Sequence, residues 1–72
     1  MPRWNELRRF CERDGWSLYR ESDHYYFEKV TIDGKIKRTM ISRGSGEIHY
    51  KLWHRILKQQ LKVSQEYFNS KI

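Results

Sequence analysis

Cysteine, proline and glycine are all scarce in this 72-residue chain, which has one Cys, one Pro and four Gly. Cys11 has no second cysteine to pair with, so an internal disulfide is excluded, as suits a reducing compartment. Metal-ligand spacing is missing as well. His49 and His54 lie five residues apart, splayed around a helix instead of stacked at i,i+4, and Cys11 has no partner at ligand spacing. Neither a metal nor another cofactor is expected. Gly44-Ser45-Gly46 lacks the spacing and the Lys-Ser/Thr of a phosphate-cradling loop. No apolar run reaches the length of a signal-peptide core or a membrane span, so the expectation is a cytoplasmic protein that does not engage membranes.

Acidic residues run short in the second half. Residues 1–33 hold six basic and seven acidic side chains. Residues 34–72 hold nine basic ones (Lys35, Lys37, Arg38, Arg43, Lys51, Arg55, Lys58, Lys62 and Lys71) against Glu47 and Glu66. The net charge of +6 therefore sits almost wholly on one half. Segregated positive charge is the electrostatic footprint of a polyanion binder, with nucleic acid the first candidate.

Aromatic residues are plentiful: three Trp, five Tyr and three Phe. A chain this short buries only about 60% of its unfolded surface, and large rings fill a thin core efficiently. One domain spanning 1–72 is expected.

Trp4, Leu7, Phe10 and Cys11 form one apolar stripe with Arg8, Arg9, Glu12 and Arg13 outside it, which predicts a helix over 2–13. Pro2 suits its first turn, and Asp14-Gly15 stops it. Gly15 to Arg20 and His24 to Thr31 read as strands joined by the polar turn Glu21-Ser22-Asp23. A second turn, Ile32-Asp33-Gly34, leads into a third strand from Lys35 to about Ser42, with Gly34 accepting the positive φ of a hairpin. Tyr25 and Phe27 are assigned to the helix side of the second strand, and His24, Tyr26, Glu28 and Val30 to the open side. In the third strand either alternate set, Ile36-Arg38-Met40 or Lys37-Thr39-Ile41, can face inward. Beyond the basic loop Arg43-Gly44-Ser45-Gly46, the spacing of Leu52, Trp53, Ile56, Leu57, Gln60 and Leu61 predicts a second helix over 49–61, with Lys51, Arg55, Lys58 and Lys62 on its other side. Ser64 can cap one further short turn that returns Tyr67 and Phe68 to the core. The fold class is α+β, ordered α-β-β-β-α with a short C-terminal helical turn. Its three-stranded antiparallel sheet carries both helices on one face and leaves the other open.

His24 opens the middle strand, where a turn exposes a side chain that the sheet still holds in place. Imidazole titrates near neutral pH and can take or give a proton there. RNA carries its own nucleophile, the 2′-hydroxyl, so one placed base with cations on the phosphate suffices for strand cleavage. Asp23 stands beside His24 and is expected to raise its pKa, with Ser22, Tyr26 and Arg38 around the same spot on adjacent strands. Cys11, by contrast, lies in the apolar stripe of the first helix and reads as a small buried hydrophobe.

Taken together, Leu7…Phe10-Cys11…Asp14-Gly15-Trp16, Arg20, Ser22-Asp23-His24-Tyr25-Tyr26-Phe27, Gly34, Glu47-Ile48 and Ile56-Leu57-Lys58-Gln59 form a pattern over about residues 6–61. In order and spacing it resembles the HicA family of bacterial and archaeal toxins, small basic mRNA interferases with a fold like the double-stranded-RNA-binding domain. Where that family commonly has Gly-Ser before its histidine this chain has Ser22-Asp23, and His49 stands where Pro is frequent before the second helix.

The resemblance implies a type II toxin–antitoxin system whose toxin is a metal-independent endoribonuclease, with His24 at the catalytic position as general acid or base. It implies mRNA lying across the open sheet face and the basic face of the second helix, in contact with Ser22, Tyr26, Lys37, Arg38, Arg43, Lys51, Arg55 and Lys58. Lys37 or Arg38 would stabilise the developing phosphorane charge, and unpaired bases would stack on Tyr19 or Tyr26. The implied protein partner is a HicB-type antitoxin that covers the site with an acidic surface. Two alternatives use the same fold: a non-catalytic RNA-binding module, which needs the basic helix but not His24, and a scaffold that binds only a protein.

Overall fold

The structure, a computed structural model, describes residues 2–44 and 46–72. Helix α1 spans Trp4–Arg13 and is followed by strands β1 (Ser17–Glu21), β2 (His24–Val30) and β3 (Ile36–Ser42). Helix α2 (Tyr50–Arg55) continues directly into a π-helical segment, Ile56–Leu61, and α3 (Gln65–Lys71) completes the chain. The strands form one antiparallel sheet in the order β1-β2-β3. This is the α+β architecture with helices on one face and the other face open. No helix among the described residues is long and apolar enough to cross a membrane.

Helix α1 begins two residues later than its pattern predicts. Pro2 lies outside it because its carbonyl accepts from Ile48 N at 2.8 Å, while Trp4 N donates to Gly46 O at 3.2 Å. Arg3 and Glu47 thereby form a short antiparallel bridge, and the chain turns into the helix only after it. Glu6 Oε1 accepts from Arg3 N at 2.9 Å and occupies one of the unpaired donors of the first turn. At the other end Gly15 takes a φ of 84°, the left-handed conformation that ends the helix.

The core gathers Leu7, Phe10 and Cys11 of α1, Trp16, Phe27 of β2, Ile41 of β3, Ile48, Trp53, Ile56, Leu57 and Leu61 along the second helix, and Phe68 of α3. Phe68 is fully buried, with its ring centroid 5.0 Å from Phe10 and 4.6 Å from Trp53. Ser64 Oγ caps α3 by accepting from Tyr67 N at 3.1 Å, and the segment makes a seven-residue helix instead of a single turn. Leu52 is not in the core. It precedes Trp53 by one residue, about 100° around the helix, and is 37% exposed.

The inward set of β3 is Lys37, Thr39 and Ile41, with Thr39 and Ile41 buried. Thr39 Oγ1 donates to Gln60 Oε1 at 2.7 Å, which attaches the π-helical segment to the strand. Lys37 Nζ donates to Leu61 O at 2.9 Å, satisfying a carbonyl left unpaired at the helix end. Lys62, with φ 56°, then turns the chain out of the helix.

Candidate active site

The open face of the sheet is built by alternation and by one irregularity. His24 pairs with Ser42, Tyr26 with Met40, Glu28 with Arg38 and Val30 with Ile36, and these side chains share the side away from the helices. On β1 the register slips between Leu18 and Arg20: Leu18 opposes Phe27, whereas Arg20 opposes Tyr26. One extra residue on β1 makes this a β-bulge. Its result is that Tyr19 and Arg20 both reach the Tyr26 side. The Tyr19 and Tyr26 rings are 6.2 Å apart, Arg20 Cζ lies 5.3 Å from the Tyr26 ring centre and Arg38 Cζ lies 5.7 Å from that of Tyr19. Tyr19, Tyr26, Arg38 and Met40 line a shallow groove that Thr39 and Gln60 close at the β3 edge.

His24 stands at one end of this face, half-buried, with its ring 6.4 Å from that of Tyr26 and nearly perpendicular to it. Its Nδ1 is enclosed without a hydrogen-bond partner among the described residues, which leaves Nε2 as the other ring nitrogen. Asp23 is exposed and makes no ion pair with His24, because the turn directs it to water.

The cations named from the sequence separate into four groups. Arg38 is on the open face, but it is paired with Glu28 Oε2 at 3.3 Å and stands four residues along the sheet from His24, about 13 Å at the rise of a strand. Lys37 points the other way, to Leu61 O and to the Trp16 ring at 6.0 Å, so it cannot serve a phosphate beside His24. Strand alternation is the cause: neighbours on β3 face opposite sides. Arg43 holds the turn that precedes His24. Its Nη1 donates to Ser22 O at 2.8 Å and lies 3.6 Å from Glu21 Oε2, and its guanidinium is 5.0 Å from the Tyr25 ring centre. Arg8 approaches Tyr25 at 4.3 Å. Ser22 itself is exposed, with its N–H donating to His24 O at 3.1 Å.

Lys51, Arg55 and Lys58, together with Lys62, are exposed on the second helix. In the same segment Trp53, Ile56, Leu57 and Leu61 are buried against the sheet side, so the four cations are on the solvent side. They therefore face away from the sheet. The open sheet face and the basic helix face, expected to form one surface, are on opposite sides of a two-layer molecule.

Two residues that bear on the site carry no motif. Arg20 is the open-face cation nearest His24 and, among the described residues, has no carboxylate partner. Its position depends on the bulge, which strand periodicity does not announce. Asp14, 8% exposed, accepts from Trp16 Nε1 and Lys29 Nζ, both at 3.0 Å, and from the Tyr67 hydroxyl. Burial alone would raise its pKa, but the hydrogen bonds from Tyr67, Lys29 and Trp16 outweigh it and hold the carboxyl below its ordinary value. This carboxylate joins α1, β2 and α3. Cys11 is fully buried, and burial with nearby Asp14 and Glu12 pushes its thiol pKa far up, which removes it as a nucleophile. Among the described residues no group of three or more His, Cys, Asp or Glu side chains is arranged to hold a metal ion.

No family model, curated protein or solved structure matches the chain.

Proposed function

We propose that this protein is a HicA-like toxin, a cytoplasmic endoribonuclease that cuts mRNA without a metal and is neutralised by a HicB-type antitoxin with an acidic surface. The observation that carries the reading is the open sheet face, where His24 stands at the end of an aromatic and guanidinium-lined platform. Such a platform suits unpaired nucleotides, because every base has a π-face to stack on a ring. The ordered pattern of residues over about 6–61, with Ser22-Asp23-His24-Tyr25-Tyr26-Phe27 at its centre, adds to it.

In the proposed reaction the RNA 2′-oxygen attacks the adjacent phosphorus. Its proton passes to His24 Nε2, the bond from phosphorus to the 5′-oxygen breaks, and that oxygen takes a proton from solvent. The products are a 2′,3′-cyclic phosphate and a free 5′-hydroxyl. Arg20, two residues along the sheet from His24 and free of ion pairing, is the cation set nearest the charge that develops on the phosphorane. Arg43 acts one step removed, by holding the Ser22 carbonyl and with it the turn that carries His24.

A second reading, a non-catalytic RNA-binding module, is favoured by one observation: among the described residues no side chain orients the His24 ring through Nδ1. Induced expression of wild type and His24→Ala in a bacterial host, at matched protein levels, separates the two. Growth arrest with mRNA loss in wild type alone supports the nuclease. Arrest by both proteins supports binding without cleavage, and arrest by neither, with both folded and abundant, removes the toxin reading.

A further inference from the structure

We propose that the space around Lys29 and Lys37, at the helix-side end of the β2–β3 hairpin, is a binding site for a small organic carboxylate with an apolar body. It lies on the side of the sheet away from His24 and rests on no part of the RNA reading. Lys29 and Lys37 are direct cross-strand partners, and both ammonium groups find their hydrogen bonds on the inward side. Like charges placed directly opposite in an antiparallel pair destabilise it. Both residues are half-buried, so water and salt screen the repulsion poorly. One carboxylate serves the pair. Asp14 Oδ2 accepts from Lys29 Nζ at 3.0 Å, whereas Lys37 Nζ reaches only the neutral carbonyl of Leu61, at 2.9 Å. Among the described residues no carboxylate lies within ion-pair distance of Lys37. The lysine pair with Asp14 therefore holds one positive charge in excess.

The two lysines also line two cavities. One, of about 380 Å³, is completed by Asp14, Val63, Ser64 and Tyr67. The other, of about 450 Å³, is completed by Val30, Thr31, Ile32 and Asp33. Both volumes fall in the range of small-molecule sites, about 300–1,000 Å³. Each ammonium has three N–H donors and spends one on the protein, which leaves donors on both for a ligand. Asp14 already accepts from Trp16, Lys29 and Tyr67 and has little capacity for more. Asp33 accepts from the Thr31 hydroxyl and is in an ion pair with neither lysine. The excess of one charge matches a carboxylate, which carries a single negative charge, better than a phosphate monoester, which carries nearly two. A carboxylate can take an N–H from each ammonium, one on each oxygen. The apolar body is called for by the second cavity, where Ile32 is fully exposed and Val30 is 64% exposed. An aliphatic tail laid over Ile32 removes surface that water otherwise covers.

The test is NMR of the full chain, following backbone amide shifts during titration with hexanoate. Hexanamide, acetate and inorganic phosphate are titrated for comparison. Hexanoate is expected to saturate with a Kd of about 1 mM or below. It should move the amides of Lys29, Ile32, Lys37 and Val63 and leave those of His24 and Tyr26 in place. Hexanamide, which lacks the charge, and acetate, which lacks the tail, are each expected to bind about tenfold more weakly or worse. Lys37→Met is expected to weaken hexanoate about tenfold or more, and Lys37→Arg to retain most of the affinity. Ile32→Ser alters a fully exposed side chain and costs the fold little, yet is expected to weaken hexanoate about threefold or more. Equal binding of hexanamide or tighter binding of phosphate overturns the proposal, as does the absence of saturation below about 10 mM. Shifts spread evenly over exposed cations such as Lys51 and Arg55 overturn it as well, since general charge attraction then explains them. Affinity unchanged in both Lys37→Met and Ile32→Ser would place the ligand elsewhere. If Lys37→Met fails to fold, the Ile32→Ser titration decides alone.

Discussion

Arg20 and Tyr26 are cross-strand partners, with the guanidinium 5.3 Å from the ring centre, and Tyr26 in turn borders His24. A preorganised donor near developing charge is worth about 100-fold or more in rate. Arg20→Ala is expected to lower single-turnover RNA cleavage about 100-fold with the fold intact, and Arg20→Lys to recover only part of it, since an ammonium lacks the planar fork. Arg38→Ala, whose partner is Glu28, is expected to cost less than about tenfold. Equal losses at Arg20 and Arg38 would refute the assignment.

Lys37 supports the helix end and points away from the face that carries His24. Removing its bond to Leu61 O leaves a carbonyl at the end of the π-helical segment with no protein donor and takes away a cation placed well for the helix dipole. Lys37→Met keeps the aliphatic stem and is expected to cost about 1–2 kcal/mol, read as a fall in Tm of several degrees. A variant with unchanged Tm and a large loss of cleavage would return Lys37 to the catalytic face.

Asp14 makes stability depend on acid. Its folded-state pKa is held below the ordinary value of 3.8, so its contribution is fully present above the unfolded pKa and is lost as pH falls through the lower, folded one. Asp14→Asn is expected to cost about 2 kcal/mol near neutral pH, because Lys29 loses its charge partner, and to flatten the decline of stability below about pH 4. Urea titrations at several pH values measure both. An unchanged acid limb would show that other carboxylates control it.

Phe68 completes the core from the last helix. Truncating a fully buried aromatic costs about 3–5 kcal/mol, against a total of about 4–11 kcal/mol for a chain of this size at ordinary per-residue stabilities. Phe68→Ala is therefore expected to be largely unfolded at 37 °C, as a thermal melt followed by near-UV circular dichroism will show. A cooperative melt close to wild type would mean that α3 is dispensable.

Much of this fold can be read from residue spacing, and the exceptions share a physical origin. The stripe Trp4-Leu7-Phe10-Cys11, the Asp33-Gly34 hairpin and the split of His24 and Tyr26 from Tyr25 and Phe27 follow from periods of 3.6 and 2. The inward face of β3 does not, because both of its alternate sets mix apolar and polar residues. Burial of Lys37, Thr39 and Ile41 is decided by partners on the second helix, Leu61 O and Gln60, which periodicity along one strand cannot see. Arg20 was hidden by the same rule, since an extra residue resets alternation. Asp14 reads as a helix stop and is one, yet its larger role comes from Tyr67, 53 residues away. Of the candidate site, His24 and Tyr26 are together on the open face, whereas the helix cations lie on the far side.

The bulge at Tyr19 and Arg20 has a second effect, on association. Strand β1 is an edge of the sheet and is exposed along its whole length, the kind of backbone template on which another chain can add a strand. An extra residue bends the strand, increases its twist and breaks the regular spacing of its free N–H and C=O groups, and the outward charges of Arg20 and Glu21 oppose a neighbour further. A substitution that straightened β1 would remove Arg20 from the open face and, at the same stroke, give the protein an edge able to polymerise.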